Sequence, residues 1–135
     1  MLEGSFTIRV RYGETDQMGI VNNANYPSYY EIGRTELLRK YGISYKEIEE
    51  KGFMLPLVDL YVKYYRPALY DDILTITTSI HQMPSSKIRF DYRIANEKGD
   101  LINEGYSNLA FLNATTRKPT RIPEILKQLM LPFFT

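Results

Sequence analysis

Leu74, Ile76, Thr78 and Ile80 fall on every second position, and so do Phe90, Tyr92 and Ile94, the period-two pattern of strands with one buried face. Segments near 54–66, 72–83, 87–97 and 101–113 share this texture and are rich in Ile, Leu, Thr, Tyr and Phe. Turn signals separate them at Pro67 to Asp72, at Met83-Pro84-Ser85-Ser86 and at Lys98-Gly99-Asp100. The short connections favour an antiparallel meander, because parallel pairing needs crossovers of a dozen or more residues. A first strand is expected over Phe6 to Tyr12, with Ile8 and Val10 on its apolar side, ending at Gly13.

Helical spacing replaces this pattern between the first strand and the others. Tyr26, Tyr29, Tyr30, Gly33, Leu37 and Tyr41 recur on one helical face, predicting a helix from Tyr26 to about Tyr41. Asn25 is the expected N-cap, Pro27 is tolerated only in the first turn, and Gly42 ends the helix. Ser44 with Glu47 reads as a capping box opening a short second helix that Gly52 closes. Ile122, Ile125, Leu126, Leu129 and Met130 mark a last short helix. The order predicts an α+β domain over residues 1–135, with an antiparallel five-stranded sheet wrapped around one long helix. Its sheet edges and tyrosine-rich surface are available for self-association, so a homo-oligomer is expected.

Composition narrows the function classes. Hydrophobic residues at 44% and charged residues at 24% are ordinary for a globular chain, whereas twelve Tyr without any Trp suit pocket walls and interfaces. A formal charge of +1 makes no electrostatic case for nucleic-acid binding. The absence of cysteine excludes a cysteine nucleophile and disulfides and fits a reducing compartment; no apolar run reaches membrane-spanning length. A cytoplasmic protein is the expectation. The single histidine, His81, lies in a predicted strand and is expected at the surface. It leaves no serine triad and, without cysteine, no zinc ligand set, so no metal is expected.

Chemistry concentrates between Tyr12 and Arg34, where Asp16, Gly19 and three asparagines stand directly ahead of the long helix. A carboxylate beside free helix N-terminal N–H groups suits attack on, or hydration of, a polarised carbonyl. An Asp before a helix is also a common turn former.

In this run Asp16, Gly19, Val21, Asn22, Asn23 and Tyr26 fit Asp-x-x-Gly-x-Val-Asn-Asn-x-x-Tyr, and the helix adds Tyr-x-x-Tyr-x-Glu-x-x-Arg-type spacing. At these residues the chain resembles the hotdog-fold thioesterases of the 4-hydroxybenzoyl-CoA thioesterase type. Arg66 to Ile76 and Thr116-Arg117-Lys118-Pro119 are similar to further junctions of that family, so the resemblance covers nearly the whole chain. It implies hydrolysis of a small or medium acyl or aryl thioester across a subunit interface. Asp16 would be nucleophile or general base, and the backbone N–H of Asn23 would hold the oxyanion.

The resemblance places Gly19, Asn22, Tyr26 and Glu31 around the substrate, with a solvated helix carboxylate as the other reading of Glu31. Ser85, Ser86 and Lys87 would meet the phosphates of coenzyme A, often from the neighbouring subunit. Arg66 and Arg89, borne on strands, are poorer candidates. No cofactor is implied, since coenzyme A enters as part of the substrate. Ile20 and Asn23 stand where branches of the family carry histidine, which argues against histidine assistance. A thiolate leaving group, with a thiol pKa on the order of 8.5, departs without a general acid. Two alternatives stay open, a carrier-protein thioester as substrate and a non-catalytic module that binds acyl thioesters. Pairing of dimers into tetramers also stays open.

Overall fold

The alternating segments form the expected sheet, and the long helix crosses its inner face. The protein is described by a computed structural model over residues 1–134. Strand β1 (Leu2–Arg9) leads to helix α1 (Tyr26–Lys40) and the short helix α2 (Tyr45–Glu50). Strands β2 (Phe53–Met54), β3 (Leu57–Tyr64), β4 (Ile73–Ile80), β5 (Lys87–Ala95), β6 (Leu101–Ala110) and β7 (Leu112–Asn113) follow, and helix α3 (Glu124–Met130) comes near the end. The main sheet has the order β1-β4-β5-β6-β3, all neighbours antiparallel, while β2 and β7 pair separately.

Three expectations are corrected. The first strand runs over Leu2–Arg9 rather than Phe6 to Tyr12, because the Glu14 carboxylate accepts the Arg11 N–H at 2.8 Å and turns the chain through a 3-10 segment at Tyr12–Glu14. The segment near 54–66 is broken around Pro56, whose carbonyl accepts the Ala110 N–H, so β2 and β3 belong to different sheets. The meander holds for β4, β5 and β6 only, since β3 lies at the far edge against β6.

Close approach seats α1 on the sheet. A Cβ on Gly33 would collide with the Thr78 hydroxyl and Ile76 of β4, so glycine lets the helix backbone sit directly on that strand. Tyr30 stacks on Tyr92 of β5 with ring centroids 4.1 Å apart, and its hydroxyl donates to Asn103 Oδ1 at 2.6 Å. The Tyr92 hydroxyl and Ser107 Oγ are 2.6 Å apart, so these buried tyrosines keep a polar partner. The Ser44 and Glu47 capping box forms, and Gly42 and Gly52 adopt φ of +102° and +92° after their helices. His81 stands exposed just past β4, with Nε2 3.0 Å from Ser79 Oγ. No helix among the described residues is long and apolar enough to cross a membrane.

β3 is the one long strand exposed along most of its length. Leu57, Val58, Tyr61 and Tyr64 are each close to half exposed, and Val58 sits at a register shift against β6.

Candidate active site

Residues 15 to 21 form a tight hairpin docked on the segment that leads into β4. Thr15 and Val21 bridge antiparallel, the Asp16 N–H donates to Ile20 O at 2.9 Å, and the Gly19 N–H donates to Asp16 O at 3.0 Å. Gly19 closes the turn at φ +77°, a conformation that strains side-chain-bearing residues. Hydrogen bonds from Val21 N–H to Ala68 O and from Tyr70 N–H to Gly19 O, both 2.9 Å, fix the hairpin to its neighbour. Asp16 Oδ1 accepts the Met18 N–H at 2.8 Å, so Asp16 is a turn former. Its Oδ2 takes no hydrogen bond among the described residues, and the side chain faces solvent. Turn-making and an available carboxylate oxygen therefore coexist in one residue.

The chain enters α1 through a 3-10 turn at Asn23–Asn25, which shifts the cap. Asn22, not Asn25, is the capping side chain: its Oδ1 accepts the Ala24 N–H at 3.0 Å, and its carbonyl accepts the Asn25 N–H at 3.0 Å. The extra turn places the free N–H groups three positions earlier than helical spacing alone suggests. Asn25 instead points inward and donates from Nδ2 to Glu14 O at 2.9 Å. With its two successors engaged, the N–H of Asn23 has no acceptor among the described residues.

Glu14 is the residue that sequence reasoning missed. Its carboxylate, largely shielded from solvent, accepts from the Arg11 guanidinium and from the Tyr29 hydroxyl at 3.0 Å, while its backbone carbonyl accepts the Asn22 N–H at 2.9 Å. Burial works to raise the Glu14 carboxyl, but the hydrogen bonds from Arg11 and Tyr29 outweigh it and hold the group below the usual carboxylate value. Burial, then the facing Glu14, push the Tyr29 hydroxyl upward. Glu14 thus ties hairpin, asparagine run and helix into one unit. Its three-residue spacing from Arg11 was the available local signal.

Ile20, Val21, Asn23, Tyr26 and Tyr64 line a cavity of 330 Å³ at this helix start. Tyr26 forms its buried wall, with its ring edge-on to Tyr29 and packed at 5.4 Å against Tyr64. Asp16, Gly19, Asn22, Asn23 and Tyr26 are therefore brought together at one end of the molecule. Glu31 is not with them: it is exposed further along α1 and borders a different cavity of 490 Å³.

Ser85, Ser86 and Lys87 lie at the opposite end of the sheet. The nine residues of β5 put about 30 Å between its ends. There the Ile122 N–H donates to Ser85 O at 2.6 Å, which sets Arg121 beside Ser85, a second cation brought in from a distant part of the sequence. Arg66 borders the 330 Å³ cavity itself, with Asp100 at 3.8 Å from its exposed guanidinium, whereas Arg89 pairs with Asp91 at 3.1 Å.

A long helix seated in an antiparallel five-stranded sheet is the hotdog fold, and the comparisons make the chain a thioester hydrolase of that fold. The profile of the Thioesterase-like superfamily matches residues 10–129, and the chain belongs to that family. It is 33% identical over 117 residues to the acyl-CoA thioester hydrolase YbgC of Escherichia coli O157:H7, covering 87% of each chain. It is 30% identical over 129 residues to the chloroplastic acyl-acyl carrier protein thioesterase ATL3 of Arabidopsis thaliana, covering 93% of this chain and 66% of that one. Among solved structures, the DHNA-CoA thioesterase of Staphylococcus aureus superposes with a TM-score of 0.86 at 32% identity, covering 90% of this chain and 82% of that one.

Proposed function

We propose that this protein hydrolyses acyl-CoA thioesters with Asp16 as the reacting carboxylate and the Asn23 N–H as the oxyanion donor. The observation that carries this reading is the unpartnered N–H of Asn23, at the mouth of the 330 Å³ cavity and at the start of the helix that follows the Asp16 hairpin. An N–H fixed in place without an acceptor stabilises developing negative charge without reorganising, an effect on the order of 3 kcal/mol for one donor. The Asp16 carboxylate acts in one of two ways. As nucleophile, its oxygen bonds to the thioester carbon, the C–S bond breaks, the thiolate leaves, and water then splits the mixed anhydride to free acid and regenerated Asp16. As general base, it takes a proton from water as the hydroxide adds to the carbon and the thiolate departs. Neither route needs a histidine.

The working unit of this proposal is a homodimer formed through β3. Eight residues long, with Leu57, Val58, Tyr61 and Tyr64 exposed and one charge of each sign, at Asp59 and Lys63, this edge invites a second copy. Antiparallel two-fold pairing sets the Leu57 end of one strand against the Tyr64 end of the other. The 330 Å³ cavity of one protomer then adjoins the 490 Å³ cavity and the Ser85, Ser86, Lys87 and Arg121 end of its partner. The 30 Å separation within one chain is bridged in this way, and the coenzyme's phosphates meet cations from the second subunit.

Asp16→Asn is the decisive substitution, because the amide oxygen still accepts the Met18 N–H and the hairpin is preserved. Turnover of acyl-CoA thioesters is expected to fall by about 10²–10⁴-fold with an unchanged thermal melt. Wild-type turnover in this variant sinks the assignment. The Arabidopsis relative makes a carrier-protein thioester the competing substrate, and matched CoA and carrier-protein thioesters of one acyl group, assayed side by side, separate the two.

A further inference from the structure

Two stretches of chain line the 330 Å³ cavity: Ile20 to Tyr26, which carries the unpartnered Asn23 N–H, and Tyr64 to Pro67 at the end of β3. Among the described residues that line it, Arg66 carries the only formal charge. The backbone that bears it is held on both sides. Tyr65 and Arg66 each donate their N–H to Ile102 O, at 2.9 and 3.1 Å, and beyond Pro67 the Ala68 carbonyl accepts the Val21 N–H at 2.9 Å. Arg66 thus leaves a strand end tied both to the sheet and to the stretch that leads into Asn23.

The guanidinium itself is loosely held. Asp100 Oδ2 lies 3.8 Å from its Nη1, too far for a hydrogen bond, and the arginine side chain is 63% exposed. A pair so long and so solvated contributes little to stability, which leaves the charge available to a ligand. The cavity therefore combines a backbone donor with a cation and is lined by no carboxylate, a polarity that favours negative charge. Thioester hydrolysis develops such charge twice, on the carbonyl oxygen and then on sulfur. A tyrosine hydroxyl is a weaker acid than a thiol, so Tyr26, Tyr64 and Tyr65 are poor proton donors to the departing sulfur. It leaves as an anion.

We propose that the Arg66 guanidinium pairs with the thiolate as it departs, while the Asn23 N–H holds the oxygen. This rests on reading Asp16 and Asn23 as the hydrolytic pair. With the oxygen at Asn23, the sulfur bonded to the same carbon is left for the Tyr64 to Pro67 stretch. As the C–S bond breaks, its electron pair goes to sulfur, and the thiolate moves off beside a guanidinium that keeps all its protons. Outside the cavity it takes up the proton that hydrolysis releases. Substrate in the cavity displaces water that otherwise screens the arginine, so the attraction is strongest while charge builds on sulfur.

The test keeps one acyl group and varies the thiol: thiophenol and N-acetylcysteamine, neither of which carries phosphate, and CoA. Arg66→Met is expected to lower kcat/KM by about ten-fold or more for the N-acetylcysteamine and CoA thioesters, whose thiolates are the more basic. For the thiophenol thioester, whose thiolate needs less help, the loss is expected to stay below about three-fold. Arg66→Lys, which keeps the charge, is expected to recover part of the loss. Both variants are expected to melt with the parent, because the ion pair they alter is exposed. Equal losses across the three thiols, or no loss with any, overturn the role of Arg66 and leave the hydrolase reading standing. A loss confined to the CoA thioester also overturns it, because that marks a phosphate contact. No thiol release by the wild-type protein from any of the three overturns the hydrolase reading itself.

Discussion

At the scale of single residues, the asparagine run separates backbone chemistry from side-chain chemistry. Asn22 has ψ of 136°, the extended conformation required before proline, and Asn23 opens a 3-10 turn, where proline's fixed φ fits. Asn23→Pro therefore deletes the unpartnered N–H while the chain follows the same path. Turnover is expected to fall by about 10²-fold or more, with the denaturation midpoint nearly unchanged. Asn23→Ala retains the N–H and is expected to lose far less. Steady-state kinetics of the two variants decide the matter, and a proline variant as active as its parent removes the backbone from the mechanism. The turn at Asp16 was legible in the sequence through its spacing to Gly19. Glu14 was not, because its value lies in meeting Tyr29 and Asn22 in space.

At the scale of elements, α1 and β4 are coupled through a position without a side chain. Gly33→Ala gains about 1 kcal/mol of helix propensity, yet its new methyl meets the Thr78 hydroxyl and Ile76, and overpacking of that kind costs about 1–3 kcal/mol. The packing effect is expected to win, lowering the urea midpoint. Adding Thr78→Ala is expected to recover part of the loss, since the hydroxyl it removes has no hydrogen-bond partner. A destabilisation unaffected by the second substitution shows that Thr78 is not the obstacle. Alternation along β4 and β5 made the faces of the sheet readable, because period two reports which side is buried. It does not report which strand lies next to which, so the crossing of β3 to the far edge was invisible in Leu57 to Tyr64. The cap moved from Asn25 to Asn22 for a related reason: propensity marks a helix start but not the 3-10 turn ahead of it.

At the scale of the whole molecule, the proposed dimer makes the exposed edge of β3 the seam between the two groups of candidate site residues. Tyr61 lies near the middle of β3, so in a two-fold pairing it meets its own copy. Tyr61→Lys sets two ammonium groups against each other there and is expected to yield folded monomers by sedimentation, with hydrolysis lost in parallel. A monomeric variant that retains full activity shows that each chain holds a complete site.

In the proposed dimer, the distance between the Asp16 hairpin and Lys87 also sets how activity responds to abundance. Where the reacting carboxylate and the phosphate-binding cations come from different copies, catalysis begins only when two chains meet. Below the dissociation constant the rate then scales with the square of protein concentration, so halving the amount of protein removes about three-quarters of the hydrolysis. In the proposed dimer, a strand edge left open to a second copy thus gives hydrolysis a threshold in expression level.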